Sequence, residues 1–205
     1  QDYEVIGIFL SAKLSGTLQS AIQGREDLAK GKDKVEIIDS NTTAMAMGFQ
    51  VLAVARAAAE GASMGECKTL AQKACAHTGV YFVVDTLEFL HRGGRIGGAQ
   101  RFLGTALNLK PILALNDGKV EALERIRTKG KALERLIDIV AEQTAGKKPV
   151  RLAALHANAA DEAKVLLEQA TRRINTEEAI LTDVSPVVGT HTGPGTLALA
   201  YMAGM

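Results

Sequence analysis

The chain has 205 residues, room for one large domain or two small ones with a core of ordinary size. Its 47% hydrophobic and 23% charged residues describe a soluble globular protein. A net charge of +1 argues neither for nor against nucleic acid, whereas 4% aromatics and no Trp count against base-stacking platforms. Cys67 and Cys75 fall on one predicted helix, too far apart along it to bond each other, which fits a reducing, cytoplasmic setting. The longest membrane-span candidate, residues 44–59, is interrupted by Gln50 and Arg56, and no secretory signal is visible.

The short apolar run Val5-Ile-Gly-Ile-Phe-Leu10 reads as a strand buried on both faces, as in a parallel sheet. Leu14, Leu18, Ala21, Ile22, Leu28 and Ala29 then recur at helical spacing, so a helix is expected from near Ser15. Residues 35–38 form a second strand that ends in the polar turn Asp39-Ser40-Asn41-Thr42. An Ala-rich helix over 44–60 follows, and Ser63-Met-Gly-Glu66 is a capping box that opens another, running to about His77. Two strands make a poor parallel sheet, and the chain enters its first strand almost at once without an initiator Met. The expectation is therefore an N-terminally incomplete first α/β domain, residues 1–79, bounded at Thr78-Gly79.

Residues 80–205 read as a second α/β domain, with a mixed or mostly antiparallel sheet and flanking helices. A strand over 80–84 leads to Asp85-Thr-Leu-Glu88, which resembles a cap with its acidic partner three residues on. A short helix over 87–91 stops at Gly93-Gly94, and Arg95 is expected to open another through about Leu107. Asn116-Asp117-Gly118 signals a hairpin turn between strands 110–115 and 119–124. A helix over 129–143, a strand over 150–155, a helix over 161–173 and a strand over 179–182 follow. The chain ends on a glycine-rich turn and a closing helix, with Pro194 suiting that helix's first turn.

Three places gather polar groups among glycines: residues 11–17, 91–95 and 190–195. Ser15, Gly16 and Thr17 put backbone N–H groups, hydroxyls and a helix dipole in one volume at a strand's carboxyl end, which suits an anion. The plain alternative is that Ser15 only caps its helix. Arg95 is a permanent cation beside glycines that leave room for a ligand, or else a surface arginine after a C-cap. His191 is read just before a helix N-terminus bearing Thr192 and Gly193, or else as a loop histidine held by backbone. His77, His91 and His156 read as structural or exposed. Pairing Ser15 with His191 would suggest a stand-alone hydrolase or phosphotransferase, but no Gly-x-Ser-x-Gly elbow or acidic orienter supports it. No metal-ligand spacing and no nucleotide-binding phosphate loop appear, so no metal or cofactor is expected.

The ordered stretches Ser11-Ala-Lys-Leu-Ser-Gly-Thr-Leu-Gln-Ser-Ala21, Leu87-Glu-Phe-Leu-His-Arg-Gly-Gly-Arg-Ile96, Leu109-Lys-Pro-Ile-Leu113 and His191-Thr-Gly-Pro-Gly-Thr-Leu197 resemble the DegV family. Its members are the fatty-acid-binding subunits of bacterial fatty acid kinase. Ala12 departs from the family pattern, where a second serine is usual, and the family's N-terminal Thr-Ser-x-Pro-type loop is missing. The resemblance implies two α/β domains, with a long-chain fatty acid buried between or within them. Its carboxylate would be held by Ser15 with the Gly16 amide, Arg95 and His191, and a separate kinase subunit would phosphorylate it. The chain itself would be non-catalytic, with no nucleic acid partner and no stable membrane insertion. A module for a small phosphorylated ligand is the remaining rival, since helix termini accept phosphate equally well. The densest basic run contains Arg125, Arg127 and Lys129, and its charges oppose the dipole of the helix it enters. It is either a solvated turn or the docking point for an acidic face of the kinase.

Overall fold

The computed structural model describes residues 3–104 and 109–205, and their strands form two sheets. In the smaller, β1 (Val5–Phe9) and β2 (Val35–Asp39) pair in parallel, from Val5 opposite Val35 to Phe9 opposite Asp39. The crossover helix α1 (Thr17–Glu26) begins two residues after Ser15, ends before Leu28, and has no fully buried residue. Helices α2 (Ala44–Ala59) and α3 (Met64–Ala74) follow. The expected capping box is formed: Ser63 and Glu66 each accept from the other's backbone amide.

Helix α2 lies between the two sheets, because its apolar residues do not fall on one narrow stripe. Val54 packs with Ile38, Cys67 and Ala71 beneath the small sheet, while Ala46 and Phe49 join the core under the large one. Gln50, fully buried, crosses this layer by donating to Ser40 O at 3.2 Å and Thr78 Oγ1 at 2.9 Å.

The large sheet is built from β3 (Thr78–Val83), β4 (Lys110–Asn116), β5 (Lys119–Ile126), β6 (Val150–His156), β7 (Glu178–Asp183) and β8 (Leu197–Ala203). Their spatial order is β5-β4-β3-β8-β6-β7, and only β6–β7 is parallel. The predicted hairpin is present, with Asp117 and Gly118 both at positive φ, 46° and 73°, as a two-residue primed turn requires. Helices α5 (Lys129–Thr144) and α6 (Ala160–Arg173) cover one face, packing Leu136, Val140 and Leu166 onto Val83, Leu152 and Leu199. The other face, bearing Phe82, Leu155 and Ala198, lies toward α2 and the short helix α4 (Glu88–Arg92).

Three local expectations are corrected. The chain closes on strand β8, not a helix, so Pro194 stands in a loop instead of a helix's first turn. All seven β8 residues are buried, and a strand covered on both faces has no period to separate it from a buried helix. The expected cap before α4 is not formed: Leu87 is the N-cap with no capping side chain, the Thr86 hydroxyl accepts from Glu88 N at 3.2 Å, and the Asp85 carboxylate binds Lys110 at 2.7 Å. After Arg95 the chain makes a 3-10 helix over Gly97–Phe102, and Leu107, the expected end of a longer helix, lies outside the described residues.

Candidate functional site

The turn after β1 is held from beneath. Ser11 is fully buried; its amide donates to Thr42 O at 2.8 Å and its hydroxyl to Gly118 O at 2.9 Å in the hairpin turn. Leu14 N and Ser15 N both donate to Ser11 O, at 2.9 and 3.2 Å, so the chain curls tightly before entering α1. Lys13 clamps the same two turns, donating to Asp117 O at 2.9 Å and pairing with its carboxylate. Asp117 is held below the usual carboxylate range, chiefly by this hydrogen bond. The loop that carries Ser15 is thereby fixed to the large sheet. Gly16 is the N-cap of α1 and adds no side chain. The Ser15 hydroxyl shares a 2.8 Å hydrogen bond with Thr17 Oγ1 and accepts from Thr17 N at 3.3 Å.

Arg95 reaches the same place from another element. Helix α4 ends as Gly94 turns to φ 67°, which places Arg95 N on Leu90 O at 3.0 Å. The guanidinium then donates to Leu14 O at 3.1 Å and Gly93 O at 2.9 Å. It has no carboxylate partner among the described residues. His191 sits in the last turn of helix α7 (Pro186–Thr192), which starts on a Ser185 cap and stops at Gly193, φ 82°. The expectation that a helix begins after His191 is therefore overturned: Pro186 opens α7, and His191 lies near its carboxyl end. Its Nδ1 is buried with no hydrogen-bond partner among the described residues.

Ser15, Arg95 and His191, read from three separate turns, all line one cleft, an empty space of about 870 Å³ with its solvent-open mouth included. The rest of its wall is mostly apolar, with Val80, Phe82, Leu155 and Ala198 of the sheet as floor, Val187 and Val188 of α7 at one side, and Thr192 and Thr196 adding hydroxyls. Thr43 and Ala44, at the start of α2, also line it, and the sequence reading missed both. Ala44 adopts φ 52°, a left-handed backbone unusual for a residue with a Cβ, and nothing in its residue type announces that. His156 is buried and its Nδ1 lies 3.2 Å from Asp183 Oδ1, a structural pairing away from the cleft lining.

Arg125, Arg127 and Lys129 lie apart from these cleft-lining residues. Arg125 stacks over the Phe102 ring, 4.8 Å from its centroid, and borders a second, more polar recess with Thr86 and His91. Arg127 is exposed. Lys129 pairs with Glu162 at 2.9 Å and lies 4.0 Å from Asp85, so packing of α5 against its neighbours accounts for its charge.

A histidine, an arginine with no carboxylate partner among the described residues, and a serine at a helix start, all lining one mostly apolar cleft, suit a ligand with one anionic end and a long apolar body. The chain is 41% identical to a DegV domain-containing protein of Streptomyces coelicolor over 95% of this chain and 68% of that one. It is 34% identical to Protein DegV of Bacillus subtilis, over 96% and 70%. Among solved structures, a DegV family protein from Thermus thermophilus, described for its fatty acid binding, superposes with a TM-score of 0.90 at 36% identity. That match covers 98% of this chain and 71% of the other. DegV of Bacillus subtilis, described as a fatty acid binding protein, superposes at 0.84 with 32% identity, over 97% and 70%. The family model described as "Uncharacterised protein, DegV family" matches residues 1–204, and the chain belongs to that family.

Proposed function

We propose that this chain binds a long-chain fatty acid and presents its carboxylate, at the mouth of the cleft, to a separate kinase subunit that forms the acyl phosphate. In this reading residues 1–79 and 80–205 are two lobes and the chain is non-catalytic and cytoplasmic. The observation that carries it is the convergence of Ser15, Arg95 and His191 on an otherwise mostly apolar cleft. Removing a carboxylate from water costs several kcal/mol, and charge-assisted hydrogen bonds of about 1.5–3 kcal/mol each offset that loss. Each methylene buried along the trough adds about 0.8 kcal/mol. Arg95 supplies the positive charge, the His191 ring a hydrogen bond, and Ser15 with the Gly16 amide the donors at the start of α1. The fatty acid binding described for the Thermus thermophilus and Bacillus subtilis relatives supports the same reading. Among the described residues no helix is long and apolar enough to cross a membrane, consistent with a carrier that meets lipid one molecule at a time.

A hydrolase using Ser15 and His191 gains no support from the geometry, because His191 Nδ1 has no hydrogen-bond partner among the described residues and the Ser15 hydroxyl bonds to Thr17. The direct test is organic extraction of the purified protein followed by mass spectrometry, together with titration of a fatty acid into the wild-type chain and into Arg95→Ala and His191→Ala. Co-extracted fatty acid and weakened binding in both variants are expected. Unchanged affinity in both would remove the head-group assignment.

A further inference from the structure

Ser15 is partly buried and lines the cleft, whereas Thr17 is exposed and stands outside its lining. Their hydroxyl oxygens are nonetheless 2.8 Å apart, and the Ser15 oxygen also accepts from Thr17 N at 3.3 Å. The amide contact belongs to the backbone, and any residue but proline at position 17 would keep it. The hydroxyl contact is what threonine adds. A serine hydroxyl has one proton to give and two lone pairs to fill. The Thr17 amide occupies one lone pair of Ser15. The Thr17 hydroxyl either takes the Ser15 proton or fills the second lone pair. In the first case Ser15 has only a lone pair left for the cleft, and in the second it has its proton. Among the described residues neither hydroxyl has another hydrogen-bond partner, so the occupant of the cleft decides between the two. A carboxylate only accepts. Beside Ser15 it draws the serine proton, and the Thr17 proton fills the lone pair behind it.

We infer that Thr17 is a positioning residue for the head group: its hydroxyl backs Ser15 as a donor and tilts the site toward an ionised carboxylate over a neutral polar end. This rests on the fatty-acid reading above and adds to it the group that prepares Ser15 for its ligand. Thr17 touches no ligand atom and acts through Ser15 in two ways. Its bond holds the Ser15 oxygen in one staggered position. A hydroxyl that itself accepts a hydrogen bond is also the stronger donor. Both effects weigh more with a charged acceptor than with a neutral one, because hydrogen bonds to ionised groups are the stronger kind.

The experiment measures the affinities of hexadecanoic acid and hexadecan-1-ol for the wild-type chain, Thr17→Val, Thr17→Ser, Ser15→Ala and the double variant Ser15→Ala with Thr17→Val. Valine keeps the shape of threonine at this exposed position and removes only the hydroxyl. The wild type binds the acid more tightly than the alcohol. Thr17→Val loses about fivefold in affinity for the acid, as for one hydrogen bond, and stays within about twofold for the alcohol. Thr17→Ser, which keeps the hydroxyl, restores the wild-type ratio of the two affinities. Once Ser15 is alanine, adding Thr17→Val changes neither affinity further, because the two residues act as one unit. Equal losses for acid and alcohol in Thr17→Val, or no loss for either, overturn the role of Thr17 and leave the fatty-acid reading standing. So does a Thr17→Ser variant that fails to recover the ratio, or a Thr17→Val loss that persists without the serine. Failure of the wild-type chain to bind the acid overturns both.

Discussion

The Nδ1 of His191 packs so closely on Gly93 that a Cβ at that glycine would overlap it. The relation is mirrored nearby, where the Phe89 ring occupies the space a Cβ on Gly193 would need. Helices α4 and α7 thus interlock through two glycines, each receiving the other helix's ring, and this sets His191 beside the turn that carries Arg95. Gly93 has an ordinary right-handed φ of −76°, so the requirement there is for space, not for backbone freedom. Gly93→Ala should therefore displace the imidazole and cost about 1–3 kcal/mol of stability as an overpacked contact. Thermal unfolding and fatty-acid titration check this together; a variant with native affinity would show that His191 does not need its place against Gly93.

Ser11 joins the Ser15 loop to the hairpin turn. Ser11→Ala removes the donor to the buried Gly118 carbonyl, and the expected loss is about 1–3 kcal/mol, the cost of leaving a buried acceptor unpaired. Ligand affinity should fall as well, because the turn that holds Ser15 and Leu14 O loses its anchor. Urea unfolding of the variant gives the first quantity and titration the second. A stability loss with no change in affinity would separate the anchor from the site.

Much of this arrangement is legible in the residues, and the misses have physical reasons. Asp117-Gly118 demanded a primed turn, and Ser63 with Glu66 a capping box, because in both cases the chemistry is local. Each of the three glycine-flanked turns stands out separately in the sequence, and the fold brings Ser15, Arg95 and His191 to one cleft. The segment around His191 was misread because Leu197-Ala-Leu-Ala-Tyr-Met-Ala203 carries no period and is rich in a good helix former. Its place between β3 and β6, a long-range fact, makes it a strand. Pro186 was the available signal for α7, since Ser185-Pro186 is a cap followed by a proline at the first helical position. Thr43 and Ala44 gave no signal, because their role comes from where α2 lies against the sheet.

Cys75 offers a test through pH. Burial raises its thiol above the ordinary value, and the neighbouring Asp39 carboxylate adds to the effect. The folded chain thus holds this proton more tightly than the unfolded chain does. The resulting stability is fully present below the ordinary thiol pKa, about 8.5, and is lost as pH rises from there through the folded value. A thiol-specific reagent at neutral pH should label Cys75 slowly in the folded protein and quickly in denaturant. The decline in stability above the ordinary thiol range should be shallower in Cys75→Ala. Rapid labelling of the native protein at neutral pH would contradict both expectations.

A carrier that hands its carboxylate to a separate phosphorylating subunit needs a docking face, and the basic run at the start of α5 is the candidate. Its three cations are not equivalent. Lys129 is held by Glu162 and lies near Asp85, so replacing it disturbs packing between α5 and α6. Arg125 is exposed and stacked on Phe102, which fixes its direction without neutralising it, and Arg127 is exposed in the turn. Docking on an acidic partner would therefore use Arg125 and Arg127 and leave Lys129 to the fold. Reversing Arg125 and Arg127 to Glu should leave fatty-acid affinity within about twofold, because neither side chain lines the cleft. Kinase-dependent acyl phosphate formation should slow by roughly tenfold or more, mainly through the association rate. In the wild type that rate should fall with added salt, and in the variant it should be nearly flat. Normal phosphorylation by the variant would leave residues 125–129 as a solvated turn and place the kinase elsewhere around the cleft.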